Sequence, residues 1–324
     1  MANKFGLKVA AIVLASASVF TACSSSAPAT SGSAAGGGTK TLKIGVTFPI
    51  LDQFLQKVAD AITAEAKAKG VEVNIVAADE KTDTQLGQVE NFVSQKVDGI
   101  IVIPVDTDAA DPMTEAAKGA NIPLVYVNRK PADLPSGVPY VGSDSLYAGT
   151  VEMQELAKLA GGQGNVVILQ GDPANEAAVQ RTKGCNDVVA QNPGMKVIKT
   201  QAGNWYREKG QSIMENWLQS GDDIKVVCAN NDEMALGAIN AIKADNRKLG
   251  ADGILVGGVD ATADALAAMT AGDLAVTVFQ DAAGQGKGGV DAVVDLANGQ
   301  TVKDYVDIPY QLVTPDNMAD FASK

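Results

Sequence analysis

Along the chain from residue 42, short apolar runs alternate with longer segments whose apolar positions recur every three or four residues. The apolar runs at 42–47, 71–77, 99–103 ("GIIVI") and 123–127 ("PLVYV") have strand length, and the run at 99–103 has no polar side to show to water. Between them, 54–69, 84–96 and 109–119 carry helical spacing, with Gly70 as a stop for the first. The alternation restarts after Asp144, with helices at 147–159, 177–191, 210–219 and from 234, and strands at 165–170, 196–201, 226–229, 254–258 and 275–280. Repeated strand–helix units predict parallel sheets with helices on both faces, the α/β class. Two such runs predict two similar lobes, with a small-molecule cleft between them.

Polar residues gather where these strands stop. The stretch "VVCANNDEMALGA" (226–238) puts Asn230, Asn231, Asp232 and Glu233 between a buried strand and an Ala-rich helix. One such residue is enough to cap a helix, and here there are four. The strand-to-helix edge is also where open α/β sheets bind ligands. Similar clusters are "LDQF" (51–54), "VNRKP" (127–131), "NWYREKG" (204–210), "GVDAT" (258–262) and "VFQDA" (278–282), with "VQRTKG" (179–184) in a helix. Singly, each reads as capping or solvation. Together they supply guanidinium forks, amides, carboxylates and aromatic faces, a set that suits a neutral polyhydroxylated ring whose hydroxyls both donate and accept.

Composition narrows the chemistry. Over 324 residues, 26 basic against 38 acidic side chains give a net charge of −12, which disfavours nucleic acid as a partner. The chain has no histidine, so Ser-His-Asp and Cys-His catalysis and every His-ligated metal site are excluded. Two motifs are discounted. "GQGKGG" (284–289) matches G-x-G-x-x-G, yet the acid a dinucleotide site needs is poorly placed, and close helix packing explains the glycines better. "DTDAAD" (106–111) lacks the Gly and final Glu of a calcium loop and reads as a polar turn. No cofactor is expected.

Residues 1–22 have Lys4 and Lys8 before an apolar stretch too short to span a bilayer, followed by Thr21, Ala22 and Cys23. This pattern resembles a bacterial lipoprotein signal with Cys23 as the lipidated residue, although Phe20 stands where an aliphatic residue is usual. Residues 23–40 are Ser, Ala, Gly, Thr and Pro in the main, a flexible tether. Cys185 and Cys228 read, with a slight preference over a disulfide, as buried free thiols, since sequence supplies no distance between them.

From residue 42 onward the chain resembles the type I periplasmic sugar-binding proteins of ABC importers, the ribose- and galactose-binding family. The likeness is carried by "NNDEMALGAI" (230–239), "VNR", the "DAT" after a Gly-rich strand end and "VTVFQDAAGQG" (276–286). "PVDTDA", "PLVYVNRKP", "GGVDATADALAAM" and "VTVFQDAAGQGKG" are most similar to the inositol- and rhizopine-binding branch. The resemblance implies two lobes joined by a three-crossing hinge, near 143–144, 280–281 and 307–310, so that one lobe takes 41–143 and 281–307 and the other 144–280 and 308–324. It implies ligand contacts at Asp52, Phe54, Asn128, Arg129, Arg181, Trp205, Asn231, Asp260 and Gln280. Asp232 and Glu233 are then left to the helix N-terminus. Leu55 stands where ribose binders carry a second aromatic, which puts ribose in doubt.

The expected function is a monomeric, lipid-anchored, extracytoplasmic receptor, not an enzyme, that hands myo-inositol or a related cyclitol to the permease subunits of an ABC importer. A pentose or hexose such as ribose, galactose or xylose is the alternative. An exported sugar-active enzyme built on Asp52 and Asp260 and the effector domain of a lac-type repressor are the rival classes; the export signal and the lack of an N-terminal DNA-binding helix pair weigh against the second.

Overall fold

The computed structural model of the protein describes residues 41–322. The signal segment, the tether and Cys23 lie outside the described residues. In the first part of the chain β1 (Lys43–Phe48), β2 (Glu72–Ala77), β3 (Gly99–Val102), β4 (Leu124–Val127) and β5 (Tyr140–Gly142) are linked through α1 (Gln53–Lys69), α2 (Thr82–Ser94) and α3 (Asp111–Gly119). Next come α4 (Ser145–Leu159), β6 (Gln163–Gln170), α5 (Glu176–Ala190), β7 (Gly194–Ala202), α6 (Arg207–Gln219), β8 (Ile224–Ala229), α7 (Asp232–Ala244), β9 (Leu255–Gly257), α8 (Ala263–Thr270) and β10 (Thr277–Phe279). Then follow α9 (Ala282–Ala297), β11 (Tyr305–Asp307), β12 (Gln311–Val313) and a 3-10 turn at Met318–Phe321.

The strands form two parallel sheets. One has six strands in the order β11-β5-β4-β3-β1-β2. The other has the order β7-β6-β8-β9. The antiparallel pair β10-β12 is bridged to the strand β9 and the loop after it at Gly257–Val276 and Asp260–Phe279. Alternate residues of each strand enter opposite cores. On β3, Ile101 joins the cluster under α1 and α9, while Ile100 and Val102 join the one under α2 and α3. Two further clusters cover the second sheet in the same way.

Helix α1 shows how local signals set the frame. Its Leu55, Val58 and Ile62 are buried, each worth about 1.5–3 kcal/mol. It starts at Asp52, whose Oδ1 accepts from the Leu55 N–H at 2.7 Å. It stops at Gly70, whose φ of 67° closes the last turn without Cβ strain.

The chain passes between the sheets three times: from β5 to α4, from β10 to α9, and from β11 to β12. The "GQGKGG" glycines lie inside α9, not in a phosphate loop. A Cβ on Gly286 would sit 2.6 Å from the Val58 carbonyl of α1, so glycine there lets two helices touch.

One expectation is corrected. Cys185 on the inner face of α5 and Cys228 in β8 are bonded as a disulfide, with an S–S distance of 1.97 Å. Strand β6 pairs with β8 and α5 folds back onto β6, which brings two residues 43 apart in sequence together. Strands β5, β11 and β12 escaped the hydropathy pattern: each has only three residues, and unlike β9 and β10, which are equally short, none lies within a longer apolar run. Among the described residues, no helix is long and apolar enough to cross a membrane.

Candidate functional site

All nine candidate residues line one cavity between the two sheets, together with Leu55 and Ala177; its volume is about 390 Å³ when its opening to solvent is included. Asp52 follows β1, Asn128 and Arg129 follow β4, Trp205 follows β7, Asn231 follows β8, Asp260 follows β9 and Gln280 follows β10. The cavity therefore lies at the carboxyl ends of both sets of strands.

On the side of the six-stranded sheet, Asp52 is at once the cap of α1 and a wall of the cavity. Burial raises its carboxyl above the usual range, opposed by the Leu55 N–H and the Arg129 charge. Arg129 is buried and donates from Nη1 to the carbonyls of Pro104 and Val105 at 3.1 and 3.3 Å. Those bonds fix the guanidinium plane and leave Nε and Nη2 to other acceptors. Asn128 donates from Nδ2 to Gln285 Oε1 of α9 at 3.0 Å, leaving its own Oδ1 to accept.

On the other side, Arg181 is buried in a network. Nη1 donates to the Asn230 carbonyl at 2.6 Å, and Nη2 donates to Gln280 Oε1 at 2.9 Å and the Tyr310 hydroxyl at 2.6 Å. Its guanidinium lies 5.7 Å from the Trp205 ring and 5.6 Å from Tyr310. Asn231 Oδ1 accepts from the Met234 N–H at 3.1 Å as the cap of α7, and its Nδ2 donates to the Trp205 carbonyl. Asp260 is 8% exposed, and among the described residues its carboxylate accepts no hydrogen bond. Burial pushes that carboxyl well above the carboxylate range, against the pull of Arg181.

The two acids beside Asn231 do more than answer the helix dipole. Glu233 takes a two-pronged pair from Arg207, both bonds 2.8 Å. Asp232, fully buried, accepts from the Thr262 N–H at 2.8 Å and the Thr277 hydroxyl at 2.7 Å, tying the loop that carries Asp260 to the start of α7.

Three site residues have left-handed backbone: Asn128 with φ 67°, Trp205 with φ 73° and Asp260 with φ 126°. Such backbone costs about 1–3 kcal/mol at a non-glycine residue and persists where the surroundings enforce it, typically at ligand sites.

Sequence reasoning missed Asn175. It is fully buried, donates from Nδ2 to the Val105 carbonyl at 2.8 Å and accepts from Trp205 Nε1 at 2.9 Å. It thus orients the indole and joins the two sides of the cleft. Thr107 adds two bonds to the Ala174 carbonyl, both 3.0 Å, and Tyr206 donates to Glu80. Tyr310 was noticed only as a crossing residue. The signal for Asn175 was available: "GDPANEA" also follows a strand end.

Gly171 supports Trp205 from below. A Cβ there would lie 2.2 Å from Trp205 Cη2. Gly171→Ala is therefore expected to shift the indole and weaken ligand binding by about 1–3 kcal/mol, the scale of an overpacked methyl. Calorimetric titration checks this, and affinity unchanged from wild type would show that the indole position does not matter.

The comparisons with known proteins agree with this geometry. A family model described as a periplasmic binding protein domain matches residues 44–301. A protein described as a rhizopine-binding protein from Rhizobium meliloti is 46% identical over 260 residues, covering 79% of this chain and 84% of that one. The ribose import binding protein of Bacillus subtilis is 32% identical over 311 residues, covering 95% and 99%. Among solved structures, an ABC transporter solute-binding protein from Bacillus halodurans with bound myo-inositol superposes with a TM-score of 0.85 at 41% identity, covering 89% of this chain and 99% of that one.

Proposed function

Since the chain belongs to the periplasmic binding protein domain family and is a sugar-binding, extracytoplasmic receptor of an ABC importer rather than an enzyme, we propose that its ligand is a cyclitol, myo-inositol first. The observation that carries this reading is the convergence of Asp52, Asn128, Arg129, Arg181, Asn231, Asp260 and Gln280 around one cavity flanked by Phe54 and Trp205. A cyclitol has a hydroxyl on every ring carbon and no ring oxygen. It offers a donor on every edge to the carboxylates of Asp52 and Asp260. A pyranose would turn one edge with only an acceptor toward that circle, and a buried carboxylate facing it would lose about 1–3 kcal/mol. The likeness to a neighbour that holds myo-inositol supports the same choice.

Calorimetry against myo-inositol, ribose, galactose and xylose is the test. Myo-inositol at ~100 times its dissociation constant should also add about 2.7 kcal/mol of stability. Tight binding of a pentose or hexose with none for any inositol would overturn the cyclitol and leave the sugar receptor.

The receptor acts as a monomer that presents its ligand to the permease subunits from a lipid anchor at Cys23. The anchor rests on Lys4, Lys8, the short apolar stretch and the small residues before Cys23. Cys23→Ser is expected to release the protein from the membrane fraction or leave its signal uncleaved. Identical fractionation of variant and wild type away from membranes would sink the anchor.

A further inference from the structure

Glu152 is an acid inside an apolar core, outside the ligand cavity. It lies on α4 and is fully buried, beside the cluster that contains Leu156, Cys185, Cys228, Leu255 and Val276. Its carboxylate is within 4.8 Å of both sulfurs. Oε1 accepts from the Ala229 N–H at 3.0 Å, and among the described residues Oε2 has no hydrogen-bond partner. Burial pushes the carboxyl well above the carboxylate range, against the Ala229 N–H and the Arg181 charge. Ionised or neutral, a half-satisfied carboxyl in such surroundings costs stability, and an apolar residue of similar volume would not. Strand β9 makes room for it: a Cβ on Gly257 would sit 2.9 Å from Glu152 Oε1.

The place of that one bond accounts for the cost. Three consecutive residues where β8 ends are each held from outside the sheet. Cys228 is joined to Cys185 of α5, Ala229 is held by Glu152 of α4, and the Asn230 carbonyl takes Arg181 Nη1 at 2.6 Å. Arg181 precedes Cys185 by about one turn of α5. The next residue, Asn231, lines the cavity. A slip of this strand end would carry the Asn230 carbonyl away from the guanidinium and Asn231 away from the ring. We propose that Glu152 is a positioning residue for ligand binding. Its Oε1 fixes the Ala229 peptide, and through it the carbonyl that orients Arg181 and the amide of Asn231. Core stability is given up for the placement of two groups that face the ligand. The role requires that the cavity holds the ligand, whichever ring that is.

Urea unfolding and calorimetry on the wild type, Glu152→Met, Glu152→Gln and Arg181→Ala test it. The probe is the tightest binder among myo-inositol, ribose, galactose and xylose. Methionine fills the space and removes the acceptor, whereas glutamine keeps an acceptor oxygen. Glu152→Met is expected to unfold at the same or higher urea than wild type and yet to bind about tenfold or more weakly. Glu152→Gln is expected to bind within about threefold of wild type, since the bond to Ala229 survives. A residue that served the core alone would lose stability and affinity together. Wild-type affinity in Glu152→Met, a loss of its stability or failure to fold, or a glutamine variant as weak as the methionine one would each overturn the proposal. Arg181→Ala keeps the failures apart. Weak binding there with wild-type binding in Glu152→Met would remove the positioning role alone. Wild-type binding in both, or no binding of any of the four rings by the wild type, would remove the cavity as the ligand site and this proposal with it.

Discussion

Arg181→Ala is expected to destabilise the protein by about 3 kcal/mol or more, because three buried acceptors lose their donor at about 1–3 kcal/mol each, and to weaken ligand binding by a further 1.5–3 kcal/mol or so. The side chain is 4% exposed. It binds the end of β8 through the Asn230 carbonyl, the second crossing through Gln280 and the third through Tyr310. Alanine leaves those three acceptors buried and removes the positive charge that draws the Asp260 carboxyl back down against its burial. Arg181→Lys should recover only part of the loss, because one ammonium cannot reach three acceptors in a fixed fork. Urea unfolding and calorimetry separate the two effects. Wild-type stability would contradict the network, and lost stability with native affinity would make Arg181 a scaffold residue only.

Breaking the disulfide is the second large effect. Cys185 and Cys228 are 43 residues apart in sequence, and closing a loop of that length is worth about 4 kcal/mol through the unfolded chain. Unfolding in reductant, or of the Cys185→Ala/Cys228→Ala double variant, should lose that stability and shift to lower urea, with a steeper slope because the unlinked unfolded chain exposes more surface. The variant also places a void beside Glu152, which is fully buried, has its carboxylate within 4.8 Å of both sulfurs and has no hydrogen-bond partner for Oε2 among the described residues. Coincident curves with and without reductant would show that the sulfurs are not joined in solution.

Much of the site was legible because polar residues placed directly after apolar strands have few other reasons to be there. Asp52 and Asn231 show why the choice between cap and ligand contact was posed too sharply. Each spends one side-chain oxygen on a helix N–H and still faces the cavity. What stayed hidden depends on distance across the fold. Asn175 meets Val105 across 70 residues, and Arg181 meets Tyr310 across 129, neither of which any local period records. The left-handed backbone at Asn128, Trp205 and Asp260 was hidden as well, since none is the glycine that would announce it. The cysteine pairing failed for the same reason: helix and strand periods assign faces and not which helix lies over which strand.

The three crossings also govern the order in which the chain can become ordered. Strand β11 closes the edge of the six-stranded sheet by pairing Tyr305 with Tyr140, and α9 covers the apolar face shared with α1. Both come from the last part of the sequence. A polypeptide made from its N-terminus has its first strands and helices long before those partners exist, so the open edge of β5 and the bare flank of α1 must wait. Pairings over such separations form slowly, because the loop entropy is lost before the contacts repay it. A delay of this kind suits a polypeptide that has to remain extended while it leaves the cytoplasm and take up its final form only on the far side.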